Sequence, residues 1–314
     1  MEGIGSFGEI CARSIEPSMT VSDKVWFAKC LLFGEHIVLR GAEALAVPLR
    51  NFSGSWETSE EGETDAYVSK LLEFADYLDR IPDLHLDTDA FRSELKEGLY
   101  FQSNIPHGYG AGSSGALVAG LYARYVQRPE LAYGELRRLF GEMESFFHGA
   151  SSGTDPLICY LERAVHLHPT EGVRTVPLAI PEGFEIYLID TEQSRSSGKW
   201  VNRFLEKYQT EERFRERCEN ELIPASNAAI DCWKRGDWHE LWRNVETISN
   251  NQLYRFTEFI PERFHELWFD GLDEAGHRLK LCGAGGGGFI LAFVRDREAF
   301  LARTEGRVVL RALF

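Results

Sequence analysis

Apolar residues follow two different spacings along this chain. Runs typical of buried or half-buried strands occur at residues 25–33, 41–49 (with a proline at 48), 99–103, 184–190, 278–282, 289–294 and 308–313. Spacings of three and four residues predict helices over 66–80, 89–97, 113–127 and 131–147, with several more between 199 and 275 and one between 294 and 308. The polar, acidic stretch 54–65 predicts a surface loop or a hairpin tip, and residues 1–22 predict a loosely ordered leader. Strands and helices are therefore predicted in both halves of the chain.

The composition restricts the class of protein. A chain of 314 residues is long enough for two domains or one large one. The net charge of −15 argues against nucleic acid or an anionic membrane as a partner, because phosphates are bound by clustered Lys and Arg. Neither a signal peptide nor an apolar run of roughly 20 residues is present, and the six scattered cysteines are typical of reduced, mostly buried thiols. We therefore expect a cytoplasmic protein.

A glycine-serine loop stands before an alanine-rich helix in the middle of the chain. Gly108, Gly110 and Gly112 permit backbone angles and close approaches that side chains would prevent, and Ser113 or Ser114 can cap the helix that follows. Free N–H groups and the positive end of the helix dipole suit a bound phosphate. An ordinary tight turn is the alternative, since the loop matches neither a Walker loop nor a Rossmann fingerprint cleanly.

Two further segments carry residues of catalytic type. Lys29 interrupts an apolar strand, where it either reaches a cleft or blunts an edge strand. Glu144 lies at the margin of the buried face of its predicted helix, and a second glycine-serine loop after it presents Asp155. The alternatives are a solvated glutamate and a turn-forming aspartate before proline.

A third glycine cluster lies near the C-terminus. Residues 283–288 include five glycines in six positions between two predicted strands. Such a run marks a close backbone approach or a flexible turn. Earlier in the same half, a polar turn holds Thr191 and Arg195.

In this order the three segments resemble the motifs of the GHMP kinases. The motif residues are Ala28 to His36, Pro106 to Ala116, and Lys280 to Gly288. Within the superfamily, Lys29 to His36 is similar to the Lys-x-x-x-x-Gly-Glu-His signature of the mevalonate kinases, and Glu144 to Asp155 to their Glu-x-x-x-His-Gly-x-x-Ser-Gly-x-Asp. The turn from Thr191 to Ser197 resembles their Thr-x-x-x-Arg-Ser-Thr.

The resemblance implies an α+β, two-domain GHMP kinase fold. Residues 1–182 would form an N-terminal nucleotide-binding α/β domain with the ATP loop and the catalytic aspartate. Residues 183–314 would form a ferredoxin-like α+β domain. The implied reaction transfers the γ-phosphate of ATP to an alcohol, mevalonate above all, in isoprenoid precursor synthesis. The alternatives are phosphomevalonate, a sugar or homoserine as acceptor, or a catalytically silent ATP-binding regulator. A homodimer is compatible with this class.

The same resemblance assigns roles to individual residues. Asp155 would be the general base with Lys29 beside it, and Mg²⁺ would bind the Glu144 carboxylate and a serine hydroxyl, Ser114 or Ser113. The ATP phosphates would lie against Gly108, Gly110, Ala111, Gly112, Ser113 and Ser114. The acceptor pocket would use Glu35, His36, Thr191, Arg195, Gly285 and Gly286.

Overall fold

The computed structural model describes residues 24–59, 65–128, 131–178, 181–274 and 276–314. The predicted leader over residues 1–22 lies outside this part of the chain. Within the described ranges, no helix combines the length and the apolar character needed to cross a bilayer.

The first half of the chain builds an antiparallel sheet of five strands. The strands are β1 (Val25–Phe33), β2 (Ala44–Thr58), β3 (Leu99–Ser103), β4 (Ala164–His168) and β5 (Gly172–Val176). They are ordered β1-β2-β4-β5, and β3 pairs with the far end of the long strand β2. The order brings β1, with Lys29 at its centre, against β2 and leaves one face for the helices.

Among the described residues of this half, five segments are α-helical. They are α1 (Asp65–Leu78), α2 (Thr88–Lys96), α3 (Ser113–Tyr125), α4 (Tyr133–His148) and α5 (Thr154–Leu161). Helix α3 packs between β1 and α5, and α4 packs on α5. The four predicted helices are confirmed to within a few residues at each end, whereas α5, β4 and β5 are not predicted by the sequence pattern.

The second half forms an antiparallel sheet of four strands covered by helices. Its strands are β6 (Glu185–Asp190), β7 (His277–Leu281), β8 (Phe289–Val294) and β9 (Val309–Arg311). Its helices are α6 (Ser197–Thr210), α7 (Glu212–Arg217), α8 (Ile223–Arg235), α9 (Trp238–Arg255), α10 (His265–Glu274) and α11 (Arg297–Arg303). The strand order β7-β8-β6-β9, with helices after β6 and after β8, is that of a ferredoxin-like domain.

The loop predicted over residues 54–65 is wrong for its first part. Strand β2 continues to Thr58, and residues 54–58 pair with β3. The polar residues there alternate with Trp56, which is only 2% exposed, so the segment has the period of a strand with one buried face. Residues 60–64 of the expected loop lie outside the described part of the chain.

The two halves share one apolar core. The ring of Phe33 on β1 stacks on Phe293 of β8, with centroids 6.2 Å apart, and Phe52 of β2 stacks on Phe289 at 5.5 Å. The backbone N–H of Arg50 also donates to the carbonyl of Leu313, 2.7 Å away. These contacts fix the first sheet against the second, so residues from both halves form one site.

A buried ion pair crosses the same junction. The Lys280 ammonium, on β7, contacts the Glu35 carboxylate directly after β1, and the Lys280 side chain is fully buried. Burial raises the pKa of Glu35 to about 7, although the Lys280 charge and hydrogen bond oppose that shift. Removal of either side chain would therefore leave the other one buried without its ion-pair partner.

We expect Lys280→Met to lower the free energy of unfolding by about 3 kcal/mol, because it leaves the Glu35 carboxylate buried without a partner. The double variant Glu35→Leu/Lys280→Met should recover at least about 1 kcal/mol of that loss, because it removes both charges. Urea unfolding of the wild type, both single variants and the double variant measures this coupling. A double variant less stable than Lys280→Met would contradict it.

Candidate active site

The first glycine loop ends at the N-terminus of α3. Gly108, Gly110 and Gly112 all have positive φ, at 75°, 70° and 82°. Gly112 is the residue that precedes the helix, and no side chain caps it, so the predicted cap by Ser113 or Ser114 is wrong. The first N–H groups of α3 are left facing the loop, and such groups bind anions well.

The two serines contact other side chains instead. The Ser114 hydroxyl donates to Glu144 Oε1, 2.8 Å away, and lies 2.9 Å from His148 Nε2. The second Glu144 oxygen accepts a hydrogen bond from the Ser151 hydroxyl. Ser113 lies 3.4 Å from a His107 ring nitrogen and has no such link to a carboxylate. Of the two serines, Ser114 thus has the environment suited to a cation.

Glu144 is buried, with 4% exposure, at the far end of α4. Burial raises the pKa of Glu144, the nearby Asp155 charge adds to the rise, and the hydrogen bonds from Ser151 and Ser114 oppose it. A buried carboxylate that faces a second carboxylate is stabilised when a cation lies between them. Glu144, predicted at the margin of the buried face of its helix, therefore faces the interior.

Lys29 links β1, the glycine loop and α5. Its ammonium lies 2.9 Å from Asp155 Oδ2, and its backbone N–H donates to the Ala111 carbonyl at 2.9 Å. A Cβ on Gly112 would lie 2.9 Å from the Lys29 Cγ, so the loop packs directly on the lysine stem. Burial disfavours the charged form of Lys29, but the Asp155 carboxylate and the nearby thiols outweigh it, and the net pKa is raised.

Asp155 lies in the first turn of α5. The residue that precedes this helix is Gly153, with φ of 68°, and Pro156 occupies an early position where no intrahelical N–H bond is lost. The sequence alone also allows Asp155 to form a turn before Pro156. In the structure the two residues start a helix instead. The Asp155 side chain is 35% exposed while Lys29 is 10% exposed, so the carboxylate is the open member of the pair.

The C-terminal glycine cluster, residues 283–288, connects β7 and β8 as predicted, and it is called the second glycine loop from here on, the first being the loop before α3. Its backbone is fixed by Thr191, whose N–H and hydroxyl both donate to the Gly288 carbonyl, at 3.0 and 2.7 Å. A Cβ on Gly288 would lie 2.7 Å from the Tyr109 carbonyl oxygen of the first loop. The two glycine loops therefore meet backbone to backbone, and this contact is possible only because Gly288 has no side chain.

Arg195 bridges the two loops. Its guanidinium donates to the carbonyls of Tyr109 at 3.2 Å, Cys282 at 3.0 Å and Gly285 at 3.2 Å. Its own backbone N–H donates to the Gly108 carbonyl at 3.0 Å. Burial lowers the pKa of Arg195, and its Nε is buried with no hydrogen-bond partner among the described residues.

His36 and Glu35 occupy different surroundings despite being adjacent. His36 has φ of 61° and lies among the rings of Phe204, Phe256 and Phe259, whose centroids are 5.0, 5.8 and 5.2 Å away. Burial, with the Arg195 charge, lowers its pKa to about 4, so the ring is neutral. Neither ring nitrogen has a well-oriented hydrogen-bond partner in the described ranges, although the Ala284 backbone lies close by.

The remaining predicted residues lie at the second loop. The Gly286 N–H donates to the Phe259 carbonyl at 2.6 Å, and Gly286 packs on the Trp200 indole, which a Cβ would meet at 1.8 Å. Gly286 also lines a cavity of about 1030 Å³ together with Trp200 and Arg263. Lys29 and Asp155 do not line this cavity, so it is a neighbouring cleft.

The structure thus brings Lys29, Asp155, Ser114 and Glu144 together with both glycine loops. Sequence reasoning missed Lys280, although it lies in an apolar strand as Lys29 does. It also missed the Tyr109 hydroxyl, which donates to Asp190 Oδ1 at 2.8 Å across the two halves. In the described ranges, no group of three or more His, Cys, Asp or Glu side chains is placed to hold a metal ion. A cation here would need serine and phosphate oxygens as well.

Residues 71–163 match the family model of the GHMP kinases N terminal domain. They contain the first glycine loop, Glu144 and Asp155. This part of the chain is therefore similar to the N-terminal domain of the GHMP kinases. A search of the curated proteins by sequence gives no match.

Solved structures with the same fold act on different acceptors. L. major mevalonate kinase in complex with R-mevalonate is 18% identical, with a TM-score of 0.64 over 92% of this chain and 94% of that one. Streptococcus pneumoniae phosphomevalonate kinase is 15% identical, with 0.61 over 92% and 98%. Lactococcus lactis galactokinase, complexed with galactose, is 16% identical, with 0.59 over 93% and 94%. The two-domain GHMP kinase fold is thereby confirmed.

Two glycines of one loop provide a matched test of this geometry. Gly149 and Gly153 both have positive φ, but a Cβ on Gly149 meets nothing within 4 Å, whereas one on Gly153 would lie 1.9 Å from the Arg137 carbonyl oxygen. We expect Gly149→Ala to cost about 1 kcal/mol of unfolding free energy from backbone strain alone, and Gly153→Ala clearly more. Urea unfolding of both variants measures the difference, and equal losses would contradict the packing.

Proposed function

We propose that this protein transfers the γ-phosphate of ATP to the hydroxyl of a small alcohol, and that this alcohol is mevalonate, which gives 5-phosphomevalonate for isoprenoid synthesis. The observation that carries the proposal is the 2.9 Å contact between Lys29 and Asp155 beside the open N-terminus of α3. A catalytically silent regulator would not need this lysine-aspartate pair, so its presence favours an enzyme.

The first glycine loop is the proposed phosphate site. Gly108, Gly110 and Gly112 shape it, and the free N–H groups at the start of α3, with Ala111, Ser113 and Ser114, would hold the β- and γ-phosphates. The Lys29 hydrogen bond to the Ala111 carbonyl fixes this loop to the strand that carries the lysine. This hydrogen bond thus holds the proposed phosphate site next to the proposed reacting groups.

The oxygens of Ser114 and Glu144 fit Mg²⁺. They lie 2.8 Å apart, and hydroxyl and carboxylate oxygens are hard ligands that this ion accepts in addition to phosphates and water. When bound, the ion neutralises charge on the phosphates. His148 and Ser151, which contact the two ligands, would keep their side chains oriented.

Asp155 would act as the general base. The acceptor oxygen attacks the γ-phosphorus, the bond from that phosphorus to the oxygen of ADP breaks, and the acceptor proton passes to the Asp155 carboxylate. Lys29, held charged by Asp155, stabilises negative charge on the transferring group. The partly exposed Asp155 carboxylate and the buried Lys29 ammonium suit these different tasks.

Two unsatisfied groups favour an acceptor pocket next to His36 and Arg195. The buried Nε of Arg195 and both ring nitrogens of His36 lack well-oriented partners among the described residues. Buried polar groups normally have hydrogen-bond partners. A carboxylate on the acceptor would accept a hydrogen bond from the Arg195 guanidinium and from the N–H of the His36 ring. Gly285, Gly286, Glu35 and Thr191 border this region, with Glu35 held by Lys280 and Thr191 by Gly288.

The other assignments follow from the same proposal. We place the domain boundary between residues 182 and 183, which lie between β5 and β6. ATP and the alcohol would be the partners, in the cytoplasm, with no nucleic acid or membrane. A homodimer is compatible with this function.

The Mg²⁺ assignment predicts that Glu144→Gln raises the Mg²⁺ concentration for half-maximal turnover by about tenfold or more, because a neutral amide binds the ion more weakly. Glu142→Gln is the matched control, since Glu142 lies two residues away on the same helix and pairs with Arg138 at the surface. An Mg²⁺ titration of ADP release measures both. An unchanged requirement in Glu144→Gln would contradict the assignment.

The reaction itself is tested by ADP release with ATP and Mg²⁺ on mevalonate, phosphomevalonate, homoserine and galactose in parallel. We expect turnover of mevalonate, and a fall of about 100-fold or more in kcat for Asp155→Asn with ATP affinity retained, because the base is lost and the phosphate site is not. Asp231→Asn, which alters a surface carboxylate paired with Lys234, is the control.

The panel also separates the alternatives. Turnover of another alcohol, but not of mevalonate, would overturn the acceptor assignment and leave the kinase assignment standing. ATP binding without turnover of any of the four would favour the regulator.

A further inference from the structure

Two thiols meet at the junction of the two halves of the chain. Cys30, on β1, and Cys282, directly after β7, are 252 residues apart in sequence, and their sulfurs are 3.6 Å apart. Both side chains are buried and neither is in a disulfide. The contact is a hydrogen bond in which either sulfur can be the donor.

The pair lies between the reacting groups and the second glycine loop. Cys30 follows Lys29 in the chain, and the thiols of Cys30 and Cys282 both contribute to the electrostatic surroundings of the Lys29 ammonium. The Cys282 carbonyl accepts a hydrogen bond from Arg195 at 3.0 Å, and Gly283 begins the glycine run. A covalent change at these sulfurs would therefore act on both sides of the proposed site.

From this geometry we propose that Cys30 and Cys282 form an oxidation site, at which a peroxide produces a disulfide that joins the two halves and stops turnover. The inference of a disulfide is independent of the proposed function, and only its effect on turnover rests on that function.

The chemistry balances with a peroxide as oxidant. The Cys282 thiolate attacks one peroxide oxygen, the O–O bond breaks, and a sulfenic acid and hydroxide result. The Cys30 sulfur then attacks the Cys282 sulfur, an S–S bond forms, the S–O bond breaks, and water leaves with the Cys30 proton. In sum, two thiols and one hydrogen peroxide give one disulfide and two waters.

The surroundings favour Cys282 as the attacking thiol. The hydrogen bond with Cys30 lowers the pKa of Cys282, burial opposes this, and the positive charges of Arg195, Lys280 and Lys29 support it. The same pairing, with burial, raises the pKa of Cys30 well above its usual value. Cys282 is also the more accessible of the two, 7% exposed against 0% for Cys30, so a small peroxide reaches it first.

Disulfide formation has a definite geometric consequence. The sulfurs must approach from 3.6 Å to about 2.05 Å, so β1 beside Lys29 and the start of the second glycine loop must rotate or move together. The 2.9 Å contact of Lys29 with Asp155 shares that strand. A covalent link across the junction would also restrict any relative movement of the two halves during substrate exchange.

The test is oxidation of the full chain carrying Cys11→Ala, since Cys11 lies outside the described residues. After treatment with hydrogen peroxide, thiol counting and peptide mass mapping should show the loss of two thiols and a Cys30–Cys282 linked peptide, reversed by dithiothreitol. Cys30→Ala and Cys282→Ala should each abolish the link, and Cys232→Ala, a buried thiol elsewhere, should not.

Turnover provides the second measurement. We expect it to fall about tenfold or more in proportion to the linked fraction, and to return with dithiothreitol, while Cys30→Ala and Cys282→Ala stay active after peroxide. Retention of all thiols, a link between other cysteines, or oxidation of Cys282 without a link would overturn the disulfide. A complete link with unchanged turnover would overturn its effect on the site. Because the link is measured by mass, a chain inactive on every acceptor still tests it.

Discussion

The close backbone contact between the two glycine loops is the constraint on which the rest of the site depends. A side chain at Gly288 would meet the Tyr109 carbonyl, and side chains at Gly110 and Gly283 would meet the Arg195 guanidinium, at 2.3 and 2.7 Å. Because these positions are glycines, one arginine can donate hydrogen bonds to carbonyls of both loops. The loops are thus fixed to each other by hydrogen bonds, and the proposed phosphate site of one half is held against the proposed acceptor side of the other.

Charge in the buried junction follows from the same closure. Lys29 and Lys280 both lie in apolar strands, and each has one carboxylate partner, Asp155 and Glu35 respectively. The Lys280 pair is fully enclosed and serves the contact between the halves, whereas Asp155 of the Lys29 pair remains open to a ligand. The difference in exposure distinguishes a structural pair from one suited to chemistry, because only the open carboxylate can accept a proton from a bound alcohol.

The sequence predicts the helices with strong periodicity and the three glycine segments, because each depends on local spacing. It does not predict where β2 ends, since the pairing of residues 54–58 with β3 is a tertiary contact. The sequence alone also allows a simple turn at Asp155, whereas the structure has a helix start there, because α5 is stabilised by packing on α3 and α4. The Ser114 contact with Glu144 likewise joins residues 30 apart in sequence. Only the resemblance to the family motifs, and not the residue spacing, predicted that Ser114 and Glu144 lie together.

The central claim is that the reaction occurs between the glycine loops at Asp155, and a crystal structure with a non-hydrolysable ATP analogue, Mg²⁺ and mevalonate tests it most directly. The account predicts the β- and γ-phosphates on the N–H groups at the start of α3, and the acceptor hydroxyl within hydrogen-bond distance of Asp155. It also predicts the acceptor carboxylate against Arg195 and His36. A nucleotide or acceptor bound instead in the cleft lined by Trp200 and Arg263, away from Asp155, would contradict it.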